Sequence, residues 1–558
     1  MKRTLFILLT GMLFSLDSFA QLNTQSKTYT FKDTLRGTLT AERTWWDVQH
    51  YAIYVEPDYA NKTIKGKVDI RFKVKSTGNV MQIDLQEPME LEKAYLGDNA
   101  MPYTRKGNAF FVTLDKNLPV GSEAMLALKF SGKVQEAIRP PWDGGWIFSK
   151  DKMGRPWMSV ACQGLGASVW FPCKDHQSDE PDRGATLKVQ VADSLVAVGN
   201  GKLKAKHQYE QGKTAWEWEV KNPINNYNII PYIGKYVAFS ETHAGEKGKL
   251  DCDYWVLDYN LEKAKKQFSQ VKPMLQAFEH WFGPYPFYED GYKIIQTSYL
   301  GMEHQSAIAY GNNFVNGYKG EDLSKTGQGL KWDFILVHES GHEWYGNNIN
   351  SKDLADMWIH EGFTNYAECL YMNEVFGKSE ANEYIIGLRD NVLNDKPIIG
   401  PYNVNTEGSA DMYYKASNML HTIRHVIDND SIFRNLLRKM NQQYKFGSVT
   451  TQEIESFIIQ ETGKNLKKIF DQYLRTTQIP TLEYFLEQKT EEHRLFYRWS
   501  NVIDGFNMPV RLPISLKGYE WVNPDRSWKS IAVIDISNET LGNLLDNNFY
   551  IEYKVRKP

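Results

Sequence analysis

The sequence predicts a multidomain α+β protein with an N-terminal antiparallel β domain, a mainly helical middle domain and a small C-terminal β-sandwich. The two-residue hydrophobic period continues to about residue 241, a helical repeat starts near residue 260, and strand patterns return at residue 481. A chain of 558 residues has room for three or four domains of roughly 150 residues each. We therefore expect a leader over residues 1–20 and domains over residues 21–240, 241–476 and 477–558.

The leader has the three parts of a secretory signal peptide. Lys2 and Arg3 form a short basic start, an apolar run of about 13 residues follows, and Ser18 and Ala20 suit a cleavage site before Gln21. This run is shorter than the roughly 20 residues that span a bilayer, and no later apolar run is long enough to span one. The sequence thus predicts an exported protein, periplasmic or extracellular, without a membrane span.

The N-terminal domain is predicted from short alternating strands. In one of them Val68, Ile70 and Phe72 alternate with charged residues, which is typical of a half-buried antiparallel sheet. Similar alternation recurs around residues 187–191 and 216–220.

Helical spacing marks the middle domain, and strand patterns return after Thr481. The predicted helices are Leu261–Phe282, Leu330–Tyr345, Met357–Phe376, Lys415–Ile427, Ser431–Tyr444, Gln452–Glu461 and Leu466–Leu474. The predicted C-terminal strands are Leu482–Glu487, Arg494–Trp499, Met508–Leu516, Ile531–Ile536 and Phe549–Val555.

Composition excludes several classes of protein. The chain is 42% hydrophobic and 13% aromatic, which excludes disorder as a description of the whole. Its formal charge of −3 leaves no basic excess to bind nucleic acid. The four cysteines are too few and too scattered for a disulfide framework, so a Cys162–Cys173 bridge and buried free thiols both remain open.

The most informative stretch is an H-E-x-x-H pattern on a helical background. Four helical residues turn about 400°, so His338 and His342 project from one face, one turn apart, and both can reach one Zn²⁺. Glu339 lies beside them as a general base for metal-assisted hydrolysis. The alternative is a buried helix with two satisfied core histidines, but roughly 0.01 chance matches are expected in a chain of this composition.

A third ligand is predicted on the next helix. Glu361 follows His342 after eighteen residues, which leaves room for a loop and an antiparallel return. Two histidines and one carboxylate with an open fourth position form a catalytic zinc arrangement, so we expect one Zn²⁺ per chain. His360 points about 100° away and is expected behind the site or at the surface. Glu368 lies on the same face as Glu361, where it either hydrogen-bonds a ligating histidine or is solvated.

At this point the sequence resembles a known family. The spacing of His338, His342 and Glu361 is the signature of the gluzincin metallopeptidases, and further motifs resemble the aminopeptidase N and leukotriene hydrolase branch of gluzincin zinc aminopeptidases. These motifs are Trp170–Asp175, Phe282–Phe287, Leu300–His304, Trp344–Asn347 and Trp358–Phe363. The resemblance covers roughly residues 46–484 and implies a thermolysin-like catalytic domain over residues 241–476.

The resemblance also implies roles for individual residues. Glu303 would bind the free α-amino group of a peptide substrate with help from Gln163. Gly301 and Met302 would also contact the substrate, and Met302 would form a wall of the pocket. The hydroxyl of Tyr413 would donate to the oxyanion, with Tyr414 and a core tyrosine as the competing interpretations. Leu300 and His304 depart from the usual residues of their motif, which leaves the shape of the pocket open.

The sequence therefore predicts a zinc aminopeptidase that acts on peptides with a free N-terminus. A zinc endopeptidase on the same site is one alternative, and an epoxide hydrolase of the leukotriene type is less favoured. A catalytically silent interaction protein of this fold is the alternative from another class. Such a protein would be expected to have lost some of the residues named above, and all of them are present.

Overall fold

The computed structural model describes residues 29–209, 212–489 and 493–557, so the predicted leader lies outside the described residues. The N-terminal region begins with two short helices and continues in strands. Its elements are α1 (Phe31–Gly37), α2 (Ala41–Thr44), β1 (Trp46–Asp58), β2 (Thr63–Val74), β3 (Val80–Asp84), β4 (Glu90–Leu96), β5 (Asn99–Ala100), β6 (Tyr103–Lys106), β7 (Ala109–Thr113), β8 (Glu123–Lys133), β9 (Gly145–Lys150), β10 (Pro156–Ala161), β11 (Ala185–Ala192), β12 (Val196–Val198), β13 (Lys202–Tyr209), β14 (Lys213–Val220) and β15 (Tyr232–Gly234).

The largest N-terminal sheet is mixed, which corrects the prediction of an antiparallel domain. Its strand order is β13-β14-β11-β1-β2-β8-β4-β5, and the central strands β1 and β11 run parallel, with Tyr51 opposite Ala185. Two smaller sheets, β12-β15-β10-β9 and β3-β7-β6, complete the region. Alternating hydrophobicity reports only which face of a strand is buried, and strands far apart in the chain can pair in either direction.

The middle region starts with a sheet and continues in helices. Its elements are β16 (Tyr236–Gly245), β17 (Gly248–Leu257), α3 (Leu261–Gln267), α4 (Val271–Phe282), β18 (Tyr292–Gln296), β19 (Gly301–Met302), β20 (Ile308–Tyr310), α5 (Phe334–Gly341), β21 (Ile349–Ser351), α6 (Trp358–Val375), α7 (Lys378–Gly387), α8 (Tyr414–Ile427), α9 (Asp430–Gln443), β22 (Gly447–Val449), α10 (Thr451–Thr462) and α11 (Lys467–Arg475). The sheet order β16-β17-β18-β20-β19 places β19 at an edge.

Two predicted helices differ from those observed. The segment Leu261–Phe282 is divided by a 3₁₀ turn at Phe268–Gln270, because Pro273 has no N–H to continue the ladder and is tolerated only in the first turn of α4. The segment Leu330–Tyr345 is helical only over Phe334–Gly341, because the Asp333 side chain caps α5 by accepting from the Leu336 N–H at 3.3 Å. Helix α7 was not predicted.

The C-terminal region contains β23 (Thr481–Gln488), β24 (His493–Ser500), β25 (Val510–Pro513), β26 (Tyr519–Val522), β27 (Lys529–Val533), α12 (Asn538–Leu544) and β28 (Glu552–Val555). Its sheets have the orders β27-β24-β23-β28 and β25-β26, and neither α12 nor β26 was predicted. One continuous apolar core joins buried residues here, such as Leu482 and Trp499, to those of the middle helices, such as Tyr473. The C-terminal strands therefore share the core of the helical region.

A second apolar core lies in the N-terminal region and extends into the middle sheet. Ile295, Met302 and Ala309 pack in it with residues of the N-terminal strands. The edge strand β19 therefore lies where the N-terminal and middle regions meet. Among the described residues, no helix combines the length and the apolar character needed to cross a bilayer.

Candidate active site

Three predicted metal ligands converge between α5 and α6. The Nε2 atoms of His338 and His342 are 3.3 Å apart, and Glu361 Oε2 lies 3.5 Å from the first and 3.4 Å from the second. Ligand atoms 2.0–2.1 Å from one ion at tetrahedral angles are about 3.3 Å apart, so the triangle has the size that zinc requires. Glu361 Oε2 is buried and has no hydrogen-bond partner. The three residues therefore fit a Zn²⁺ ion with an open fourth position.

The metal-facing nitrogens are set by hydrogen bonds at the other side of each ring. Glu368 Oε1 lies 2.7 Å from His338 Nδ1, and the Tyr345 carbonyl lies 2.9 Å from His342 Nδ1. Each Nδ1 donates to its oxygen, which leaves the lone pair of Nε2 directed at the shared centre. Glu368 is fully buried, so the solvated alternative was wrong.

The carboxylate of Glu361 is kept ionised by its neighbours. Burial raises its pKa, but the facing His342 and His338 outweigh burial and hold the pKa well below its ordinary value. His360, next in sequence, is also buried, and its Nε2 accepts from the Ser351 N–H at 2.9 Å. His360 therefore lies away from the ligand triangle and not at the surface.

Glu339 lies at the centre of the site. It is buried, and burial raises its pKa to about 7, although His338 and His342 act in the opposite direction. A Cβ atom on Gly301 would lie 2.7 Å from Glu339 Oε1. Only a glycine at this position of β19 leaves room for the carboxylate, which ties Gly301 to the placement of the candidate base.

Glu303 and Gln163 meet although 140 positions separate them in the chain. The Gln163 side-chain amide donates to Glu303 Oε1, and the Tyr227 hydroxyl donates to the same oxygen at 3.1 Å. Ligand atoms of Glu303, Glu339 and His342 lie within 4.8 Å of one another. A carboxylate thus stands next to the metal triangle with an amide beside it.

The structure distinguishes Tyr413 from its neighbour Tyr414. The Tyr413 ring stacks near the His338 ring, with centroids 6.1 Å apart. Burial raises the pKa of Tyr413, and the carboxylates that raise it further are those of the site, led by Glu361. The charged groups that act on Tyr414 are instead Glu368 and Tyr318. Tyr413 is therefore the phenol next to the ligand triangle.

One cavity of about 520 Å³ is lined by the three metal ligands together with Glu339, Glu303, Gln163 and Tyr413. Its outer walls come from the N-terminal region and from the middle region. Residues that sequence reasoning did not single out, and that also line it, are Pro141, Trp142, Gly164, Leu323, Asn365, Asn391, Leu393, Glu407 and Met412. Most of these residues lie outside the long helices and strands, where single side chains carry no periodic signal, so only the structure brings them to the site. Asn365 lies on α6, but helical spacing does not say what its face contacts.

The departures from the family motif also have a structural role. His304 is fully buried, and its Nδ1 lies 2.5 Å from the Tyr232 hydroxyl, so this side chain turns away from the ligand triangle.

The four cysteines are buried and free, so the Cys162–Cys173 bridge is absent.

Comparisons with known proteins match both the N-terminal region and the region that holds the site. The model of the peptidase M1 N-terminal domain matches residues 47–227, and that of the peptidase family M1 domain matches residues 266–473. Similar curated proteins include leukotriene A-4 hydrolase of Xenopus laevis, 21% identical over 63% of this chain, and aminopeptidase B of Mus musculus, 21% identical over 68% of it. Probable aminopeptidase 2 of Sulfurisphaera tokodaii is 20% identical over 84% of the chain.

These alignments span 57%, 58% and 58% of the respective relatives, so the chain matches a little under three fifths of their length. Among solved structures, an M1 zinc metallopeptidase of Deinococcus radiodurans superposes with a TM-score of 0.67 at 18% identity. That alignment covers 78% of this chain and 95% of the other. At this identity the likeness shows the shared fold.

Proposed function

Because the chain belongs to peptidase family M1, we propose that it is a zinc-dependent aminopeptidase that removes the N-terminal residue from peptides. The observation that carries this proposal is the pair of Glu303 and Gln163 beside the metal triangle. An ionised carboxylate at this place binds the ammonium of a free N-terminus by a charge-assisted hydrogen bond. Binding the ammonium next to the metal sets the first peptide bond as the one that reacts.

The metal site fits zinc, since its donors are two imidazoles and one carboxylate with an open position. Zinc bound there supplies a Lewis acid for the scissile carbonyl and lowers the pKa of water at the site.

The side chains supply the proton transfers. Glu339 accepts a proton from the attacking water and passes it to the leaving amine, and its burial, which raises its pKa, strengthens it as a base. The Tyr413 hydroxyl donates a hydrogen bond to the carbonyl oxygen as negative charge develops on it. The stack of Tyr413 on His338 holds the phenol at the required side of the triangle.

The pair of Glu303 and Gln163 also argues against an endopeptidase. A peptide bound across the site by an internal segment has no ammonium for Glu303, so it would leave the buried carboxylate without a cationic partner. A silent interaction protein would have no need of the His338 and His342 hydrogen bonds that direct both Nε2 atoms inward.

Two variants test the proposal. Glu339→Gln should retain one equivalent of zinc and lose turnover of an aminoacyl amide, because the amide cannot accept the proton. Glu262→Gln, on the exposed end of α3, is the matched control and should behave as the parent protein. Full activity of Glu339→Gln would exclude the general-base role.

Substrate blocking tests the role of Glu303. The parent protein should cleave free peptides and resist N-acetylated ones, because an acetyl group removes the ammonium. Equal rates on free and acetylated peptides would favour the endopeptidase and remove Glu303 from its role. Zinc-free protein with no cleavage of either peptide would favour the silent protein.

We also propose that the protein is exported to the periplasm or the outside of the cell. The support is the sequence of residues 1–20, with its basic start, apolar run and cleavage-site residues. Cell fractionation followed by N-terminal sequencing should find the protein outside the cytoplasm and starting at Gln21. Recovery of the intact leader on cytoplasmic protein would contradict this.

A further inference from the structure

Helix α1 lies outside the part of the chain that matches the family, since that match begins at residue 47. From this helix we propose that Arg36 is a positioning residue that holds together the two walls of the cavity at its amino-binding side. One wall is the loop after β10 that carries Gln163, and the other is the loop 403–407 before α8. The inference rests on the proposed function only where it predicts a change in KM.

The Arg36 guanidinium contacts both walls at once. One terminal nitrogen, Nη1, donates to the Gly164 carbonyl at 2.7 Å and to Asn405 Oδ1 at 2.7 Å. The other, Nη2, donates to the Gln163 carbonyl at 3.4 Å, and Nε forms an ion pair with Asp175 at 3.0 Å. The planar fork of a guanidinium can serve several acceptors in fixed directions, which a point-like ammonium cannot.

The wall formed by the loop after β10 has room for the Arg36 side chain. A Cβ atom on Gly166 would lie 2.5 Å from Arg36 Nε and 2.0 Å from Asp175 Oδ2, and Gly166 has a φ of 101°. Only a glycine fits such an approach and such a backbone. The Ser168 hydroxyl also donates to Asp175 Oδ2 at 2.5 Å, so the carboxylate that receives Arg36 is held in place.

The second wall is docked on the same helix by its backbone. The Asn405 N–H donates to the Asp33 carbonyl at 3.1 Å, and the Thr38 hydroxyl donates to the Asn403 carbonyl at 2.8 Å. A Cβ atom on Gly37 would lie 2.4 Å from the Val404 carbonyl carbon, so the helix end and the loop are in direct contact. The helix thus holds loop 403–407 on one side and the Gln163 loop on the other.

Arg36 affects substrate binding through the residues that it holds in place. Gln163 uses its side chain for Glu303 while its carbonyl is held by Arg36. Glu407, which ends the second loop, lines the cavity. Loss of Arg36 should therefore loosen ammonium binding while His338, Glu339 and Tyr413 keep their places. Arg36 itself does not line the cavity, so it acts by position and not by contact with the substrate.

The kinetic test uses the full chain and three substitutions, and a fourth serves the exchange measurement described below. Arg36→Ala should raise KM for an aminoacyl amide about 5–20-fold with kcat within about twofold and zinc content unchanged, because misplaced binding groups weaken ground-state binding of the ammonium. Arg36→Lys should give an intermediate KM, since one ammonium cannot serve all four acceptors. The matched control is Arg526→Ala, which also removes an ion pair, with Asp504, and a carbonyl contact, with Val502. None of these three residues lines the cavity.

A second readout does not depend on turnover. Amide hydrogen exchange in residues 161–166 and 403–407 should become faster in Arg36→Ala and stay unchanged in Arg526→Ala. Thr38→Val, which removes only the bond to the Asn403 carbonyl, should speed exchange in residues 403–407 alone. This milder variant keeps the test available if Arg36→Ala does not fold.

The outcomes separate the two proposals. A KM like that of the control together with unchanged exchange in both segments would overturn the role of Arg36. A fall in kcat with zinc loss would overturn it as well, because Arg36 would then support the fold of the metal site. If the parent protein cleaves no peptide while exchange responds as expected, the aminopeptidase function fails and the bridging role of Arg36 stands.

Discussion

Glu368 offers the sharpest test of how the metal site is built. Its carboxylate accepts three hydrogen bonds: from His338 Nδ1 at 2.7 Å, from the Asn365 side-chain amide at 2.9 Å and from the Tyr384 hydroxyl at 2.6 Å. Glu368→Gln keeps the shape but replaces one acceptor oxygen by an NH₂ group. The amide oxygen can still accept from His338 and Asn365, because the Tyr384 hydroxyl can accept from the NH₂ group, but the negative charge is lost. The bond that orients the His338 ring is then weakened, because it is no longer charge-assisted.

The expected magnitude follows from that bond. A hydrogen bond to a charged group contributes about 1.5–3 kcal/mol and a neutral one about 0.5–1.5 kcal/mol, so the loss of the charge costs about 1–1.5 kcal/mol. Partners that orient a metal-ligating histidine change metal affinity by about 10–100-fold, or roughly 1.4–2.8 kcal/mol. The two ranges meet near the lower end of the second, so we expect Glu368→Gln to bind zinc about tenfold more weakly than the parent protein.

The assay is competition for zinc against a chromogenic chelator of known affinity, which measures binding without turnover. Glu374→Gln is the matched control on the same helix, because Glu374 accepts from Trp281 and lies away from the ligand triangle. The control should bind zinc as the parent protein does. Parent-like zinc affinity of Glu368→Gln would refute the reasoning that the Glu368 carboxylate directs His338 Nε2 at the metal.

Further predictions concern the oxyanion, the base and the C-terminal region. Tyr413→Phe should lower kcat by about 10²–10³ with zinc retained, since it removes one donor to the developing charge, and steady-state kinetics with metal analysis measure this. Gly301→Ala should lower kcat at least about tenfold without loss of zinc, because its Cβ would lie 2.7 Å from Glu339 Oε1; a parent-like kcat would disprove the crowding. The ion pairs with Arg556 and Arg498 lower the pKa of Glu483 to about 2, so their stabilisation is present above pH 4.5 and is lost as the pH falls towards 2. Glu483→Gln should thus lower the free energy of unfolding by about 2 kcal/mol at pH 7 and by less at pH 3, as measured by urea unfolding; an equal loss at both pH values would contradict the linkage.

The order of secondary structure was predictable from sequence only in part. The periodicity that predicted the helices around Glu361 and Tyr413 is local, so those elements agree closely with α6 and α8. The direction of β1 relative to β11 and the sharing of one core between the helices and the C-terminal strands depend on contacts between distant segments. No local pattern contains that information.

The sequence by itself determined the metal ligands, because His338 and His342 lie one helical turn apart and Glu361 follows on the next helix. It left Glu368 ambiguous between a buried partner and a solvated charge, since helical spacing places a side chain on a face without saying what covers that face. Only the tertiary structure decided that question, and only it brought Gln163 to Glu303 and Arg36 to both loops. The physical reason is that these contacts join residues 128 to 369 positions apart, whose distance is set by the packing of whole regions and not by the repeat of any one element.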